Sequence, residues 1–209
     1  MDSRQALRIA AGLGPYFTWD PWDGAADWQP LTTLSDPEVL AERVAIARQA
    51  LLRMSGLPPE AIPERVVASI VFLGLASRLL SPLLAAASIA GALPAPTPES
   101  MWWRPAESGP IPIAVRDQPA PGCAERDAET IADDINRSAV HGLVEPVLTA
   151  VRARFAVSPQ VLWGNVASAL GGAASMIADA VPDADAAPAP VPTSTPGSGS
   201  APGSASASA

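Results

Sequence analysis

The sequence predicts a mostly α-helical protein: a single compact helical domain over residues 1–180 with at most one short β-hairpin, and a disordered tail over 181–209. Three observations predict it. In Val157–Ala180 the residues Leu162, Val166, Ala169, Leu170, Ala173, Met176 and Ile177 recur on one face at a period of 3.6. Val66–Ala92 is almost wholly apolar, which suits buried helices. Beyond Ala180 the chain turns to alanine, proline, serine and glycine with no aromatic residue, so it has little surface to bury.

Taken in order, residues 12–30 read as a loop rich in aromatics, with Tyr16, Phe17, Trp19, Trp22 and Trp28 among Asp20, Asp23 and Asp27. Tryptophans pinning a surface loop explain this mixture better than a metal site does. Ser35–Glu38 has the form of a capping box, and the helix after it aligns Leu40, Val44, Ala47 and Leu51 before stopping near Ser55-Gly56. Ser81-Pro82 resembles an N-cap with proline in the first helical position, so the next apolar run is expected as two helices, 63–80 and 82–91. The proline-rich stretch 93–122 holds two candidate edge strands, Met101–Arg104 and Ile111–Arg116, around Glu107-Ser108-Gly109. A charged helix over Ala124–Arg137 follows, with Glu129 and Asp133 on a solvated face. Leu143, Val147, Val151 and Phe155 form another apolar stripe, with Pro146 at a kink or a first turn. The last helix opens with Ser158 as cap and Pro159 at its first position. Its glycines, Gly164, Gly171 and Gly172, each cost roughly 1 kcal/mol against alanine and call for a tertiary reason, such as a backbone or ligand approaching closely.

Composition removes several classes of function. The net charge is −8 and all 13 basic residues are arginine, so there is no basic patch fit for nucleic acid. An N-terminus broken by Gly12, Gly14 and Pro15 does not make a signal peptide, and the expected compartment is the cytoplasm. Val66–Ala92 is long enough to cross a bilayer, but Arg78 near its centre would cost roughly 2.5–3.5 kcal/mol there, so burial inside a domain is favoured. A buried Arg78 needs a partner, either a carboxylate of the fold or an anionic ligand. Cys123 and His141 are each the sole residue of their kind and carry no flanking motif of nucleophilic catalysis. No phosphate-binding loop is present, since Gly171-Gly172 lies within a helix and no lysine follows it.

Four blocks in order carry a resemblance: Gly12–Trp19 (GLGPYFTW), Pro63–Ala87, Met101–Pro105 (MWWRP) and Leu162–Ala173 (LWGNVASALGGA). Over roughly residues 12–178 the chain resembles the ferric-siderophore reductase (FhuF-like) family. The resemblance implies a cytoplasmic helical protein of iron metabolism that acts on ferric iron held in a hydroxamate-type siderophore. Members of the family pass electrons through a 2Fe–2S cluster bound by four cysteines near the C-terminus. Where those ligands would stand, this chain has its Ala/Pro/Ser/Gly tail, and its one cysteine cannot hold such a cluster. No cofactor or metal is therefore expected in this chain, and no catalytic residue is assigned.

Ligand-binding candidates are Arg78, Trp102, Trp103, Arg104, Trp163 and Asn165, all but Arg78 chosen because they match the family blocks. Indole faces can pack on a siderophore's organic frame while arginine and asparagine reach its hydroxamate oxygens. The expected function is that of a reductase-like protein rendered redox-inactive by its missing cysteines. The alternatives are a non-catalytic protein binding a siderophore or a partner, and a membrane-associated helical protein. Neither the oligomeric state nor the role of the tail is legible.

Overall fold

Helices dominate the computed structural model, which describes residues 2–106 and 109–181. The tail expectation, and Glu107 and Ser108 between the two predicted strands, lie outside the described residues. The helices are α1 (Ser3–Ala11), α2 (Pro37–Ser55), α3 (Glu64–Ala90), α4 (Ala128–Ile135), α5 (Glu145–Phe155) and α6 (Pro159–Ala180).

α3 is the axis of the domain. Val67, Phe72, Leu75, Ala76, Leu79, Leu80 and Leu83 are buried around its circumference, and α1, α2, α5 and α6 pack on it. This is why the run shows little amphipathic period: a helix covered over most of its surface needs none, and among its large apolar residues only Val66 and Ile70, near its start, remain exposed. α3 and α6 are both long and apolar enough to cross a membrane by length and composition. α3 is mostly covered by protein, whereas most of α6 is not.

The expected break at Ser81-Pro82 does not occur. α3 runs through Pro82 as one helix, with Ser81 and Pro82 both buried inside it. A proline in a helix interior has no N–H for the carbonyl four residues before it, here that of Arg78. The indole Nε1–H of Trp19 supplies the missing donor to the Arg78 carbonyl at 2.8 Å. The helix therefore continues because the loop brings a replacement hydrogen bond, which no local rule could show.

The other caps follow local chemistry with small shifts. α2 is capped by Asp36, whose carboxylate accepts from the Glu38 amide at 2.8 Å, with Pro37 first in the helix; Ser35 is not the cap. Gly56 closes α2 at φ 64°, in the left-handed region that glycine takes without steric cost. Ser158 caps α6 as expected, accepting from the Val161 amide. On α6, Leu162, Val166, Ala169 and Ala173 are buried while Met176 is exposed, so the buried face is narrower than the periodicity suggests.

The charged helix is shorter than expected. α4 ends at Ile135 and the chain widens into a π-helical segment, Asn136–Val144, before α5. Pro146 lies in the first turn of α5, and in an uninterrupted α-helix its ring would clash with the Gly142 carbonyl. Widening the preceding turns removes that clash without ending the helix.

The sheet is larger than a hairpin. β3 (Met101–Trp103) and β4 (Ile113–Val115) pair antiparallel as expected, with Trp102 opposite Ala114. Two-residue strands from the aromatic loop, β1 (Asp20–Pro21) and β2 (Gln29–Pro30), extend it to the order β1-β4-β3-β2. β1 runs parallel to β4 and β2 antiparallel to β3. α1 was not expected. Asp2 caps it, and Ala6, Leu7 and Ala10 bury one face.

Candidate functional site

Alternation along β3 sorts the MWWR block. Met101 and Trp103 point inward and are buried, while Trp102 points to the outer face of the sheet and is half-buried. Trp103 donates its indole N–H to Thr33 Oγ1 at 2.8 Å, and the Arg43 guanidinium lies 5.9 Å from its ring centre. It is a core residue and not a surface one.

Trp102 is the centre of the outer face. Its ring stacks on Trp22 with centroids 4.3 Å apart and planes 17° from parallel. Arg116 lies against the pair, its guanidinium carbon 5.0 Å from the ring centre of Trp22 and 5.1 Å from that of Trp102. Strand pairing makes this cluster: Trp102 lies opposite Ala114, so Arg116, two residues on, is its diagonal neighbour on the same face. Trp22 follows β1 directly and donates its amide to the Val115 carbonyl at 3.0 Å. Arg116 is exposed and has no carboxylate partner among the described residues.

Arg104 continues the outer row. It stacks at 4.5 Å over Trp28 and pairs with Asp27 at 3.0 Å. Trp28 in turn donates to Asp23 at 2.9 Å. The Ala25 amide, which also donates to Asp23, holds that carboxyl below the usual range, with Trp28 and the nearby Arg104 charge adding to the effect. Asp23 and Asp27 are thus committed to organising the loop.

Next to the tryptophan pair, α1 and strands β1 and β4 enclose a cleft of about 270 Å³. Trp22 is one wall, and Arg4, Arg8, Asp20 and Asp117 bring charge to it. Arg4 is tied to Asp117 at 3.4 Å, whereas Arg8 and Arg116 have no acidic partner among the described residues. The outer face of the sheet offers the stacked indole pair with Arg116 against it, and the neighbouring recess offers Arg8, neither guanidinium matched by a carboxylate among the described residues. This arrangement suits an organic molecule displaying clustered oxygen acceptors. No acid–base pair or nucleophile accompanies it.

The remaining candidates lie elsewhere. Arg78 is buried, and its partners are neither of those expected: Nε donates to the Ile111 carbonyl at 2.9 Å and one terminal nitrogen to the Pro15 carbonyl. Burial pushes its pKa down to about 10 against the opposing pull of Asp20 and Tyr16, so it is still charged at neutral pH. It ties the Pro15 turn and the start of β4 to the helix axis. Asn165 donates to the Ser69 carbonyl and hydroxyl, both at 2.9 Å, fastening α6 to α3. Trp163 is exposed on α6, away from the buried face. Sequence blocks that fit one ligand pocket on paper therefore serve several places: Trp102 and Arg104 reach the sheet surface together, and the others do not join them.

Two residues of the surface cluster, Trp22 and Arg116, were not among the sequence candidates. Period-2 alternation in the paired strands could have found Arg116; Trp22 depends on the parallel β1–β4 pairing, which has no local signal. Cys123 is buried and its amide is bonded to Gly91, while His141 lies against Glu145 at 2.7 Å, so they form no catalytic pair. The described residues contain no group of three or more side chains placed to hold a metal ion, and one buried thiol does not fit a four-thiolate cluster.

No protein-family model matches the chain, and no curated protein matches its sequence.

Proposed function

We propose that this protein binds a ferric hydroxamate siderophore, as a ferric-siderophore reductase-like protein of iron metabolism that does not itself reduce the iron. The observation that carries the reading is the Trp22–Trp102 stack on the outer face of the sheet, with Arg116 beside it and without a carboxylate partner among the described residues; Trp22 also walls the α1 cleft. Ferric hydroxamates present iron-bound oxygens on a flexible organic frame. Indole faces pack on the frame, and guanidinium N–H groups donate to the oxygens. In a chain of net charge −8, leaving Arg8 and Arg116 unmatched by carboxylates favours a ligand rich in acceptors. The redox-inactive part of the reading rests on the donor set: Cys123 is the only cysteine of this sequence, too few for a four-thiolate cluster.

Titration with a ferric hydroxamate siderophore is expected to quench tryptophan fluorescence, and the iron-free form and a catecholate to quench less. Trp102→Ala and Arg116→Ala should each weaken binding roughly 10- to 100-fold, the range of a lost charge-assisted hydrogen bond or stacking face. Arg104→Ala should cost less, because its guanidinium is already held by Asp27 and Trp28. Asn165→Ala should leave affinity unchanged. With a flavin reductant, ferrous iron should form no faster than in the protein-free control. Equal quenching by ferric, iron-free and unrelated compounds would refute the binding site; protein-dependent ferrous release at turnover would refute the redox assignment.

We place the protein in the cytoplasm, with α3 as a core helix. After lysis and ultracentrifugation without detergent, it should stay in the supernatant. Recovery only in an alkali-resistant pellet would support the membrane-associated reading instead.

A further inference from the structure

α6 leaves much of its surface uncovered. From Pro159 to Ala178 it carries no charged residue, and Val161, Trp163 and Met176 are 47%, 40% and 47% exposed. Apart from the helix's own adjacent backbone, no atom of the described residues lies within 4 Å of where a Cβ would sit on Gly164, Gly171 or Gly172, so no other described element uses the room these glycines leave. Beside the C-terminal half of α6 runs an apolar groove of about 660 Å³, walled by α3, α4 and the π segment. Its lining includes Leu84, Ile131, Ile135, Val140, Leu170 and Ala174.

We propose that α6 is a two-fold interface between copies of this chain, in which Trp163 of each copy fills the groove of the other. The helix geometry carries it. At 100° per residue, Trp163, Leu170 and Ala174 fall within about 40° of one another, so the exposed indole and the groove share one flank of α6. Two antiparallel helices related by a two-fold axis lying across them oppose the same flank of each. With that axis beside Ser168, Trp163 lies level with the partner's Ala173, at the groove. A tryptophan seated in a complementary apolar pocket is the usual anchor of such an interface.

Charge and area agree with this partner. Exposed Arg152 and Arg154 end α5, just before α6 begins, and neither has a carboxylate partner among the described residues. Asp179 lies at the far end of α6. The antiparallel arrangement brings these arginines of one copy toward the partner's Asp179, twice over. The uncharged middle lets two chains of net charge −8 meet where neither bears charge. α6 is about 33 Å long and 10 Å across, so half its cylinder offers on the order of 500 Å². The groove walls then bring each partner toward the roughly 800 Å² of a stable interface.

Sedimentation equilibrium of the full chain at roughly 1–100 μM tests this. The expected mass is twice 21.4 kDa. Trp163→Asp should raise the dimer dissociation constant at least about 30-fold while leaving the far-UV spectrum and thermal melt of a folded monomer. Met54→Asp, at the exposed end of α2, should change nothing. Mild oxidation should cross-link Ala167→Cys, exposed on the Trp163 flank beside the axis, between copies but not Met54→Cys. A monomer across the whole range would overturn the proposal, as would a dimer indifferent to Trp163→Asp. Dimerisation appearing only after removal of residues 182–209 would assign the groove to the chain's own tail. Trp163-dependent flotation with phosphatidylcholine vesicles by a monomer would assign it to lipid. Either result would overturn the two-fold interface.

Discussion

Trp19→Ala is expected to lower the free energy of unfolding by about 3–5 kcal/mol, the range for emptying a buried tryptophan site. Volume is only part of that loss. Trp19 is 5% exposed and its indole N–H reaches the Arg78 carbonyl that Pro82 leaves without an in-helix donor. Trp19→Phe, which keeps an aromatic ring, should still cost about 1–3 kcal/mol for the orphaned buried carbonyl. The two causes separate in a Pro82→Ala background, where the new amide at position 82 can donate to Arg78. Trp19→Phe should be milder there, with a coupling of roughly 1 kcal/mol or more in a urea double-mutant cycle. An equal loss in both backgrounds would show that the indole acts by bulk alone.

Arg78→Met is expected to be the second most damaging change, lowering stability by about 2–5 kcal/mol. Met fills a similar length but donates nothing, so the Ile111 and Pro15 carbonyls each lose a charge-assisted partner. Arg78→Lys should restore only part of this, since one ammonium cannot reproduce the fork that reaches two divergent carbonyls. The alternative, that Arg78 exists to meet an anionic ligand, makes the opposite pattern: unchanged urea denaturation and lost siderophore quenching. Measuring both on Arg78→Met decides between scaffold and ligand.

Most of the helical plan was legible because it is written locally. The Ser158-Pro159 start of α6, the Gly56 end of α2, and the stripes of Leu40 and Val44 or Leu162 and Val166 each need only neighbours within two turns. The hairpin of β3 and β4 was legible from β-prone residues between prolines. What escaped depends on partners far along the chain. Helix α3 passes through Pro82 because of Trp19, which bonds the carbonyl of a residue 59 positions further on. β1 and β2 are two residues long and exist only as additions to strands far along the chain, Asp20 pairing with Ala114 and Gln29 with Trp103. α1 is short and weakly marked, and Asp2 with Ala6, Leu7 and Ala10 was its only trace.

The candidate site was half legible for the same reason. Trp102 and Arg104 stood out by type, and strand alternation sets them on the outer face while turning Trp103 inward. Arg78 and Asn165 looked like ligand groups because isolated polar residues in apolar runs do. Both prove to be bonded to backbone carbonyls, the commonest fate of such a side chain. Trp22 and Arg116 complete the cluster through the sheet alone.

The π segment between α4 and α5 also says where this chain can change length. A π turn holds one residue more than an α turn, so a stretch such as Asn136–Val144 stores surplus chain without breaking the helix. A one-residue deletion inside it can be absorbed by tightening toward α geometry, keeping Val147, Val151 and Phe155 on the core. The same deletion in α3 or α6 would swing every later side chain about 100° around the axis. Length variation among descendants of this sequence should therefore collect at 136–144 and be purged from the two long helices.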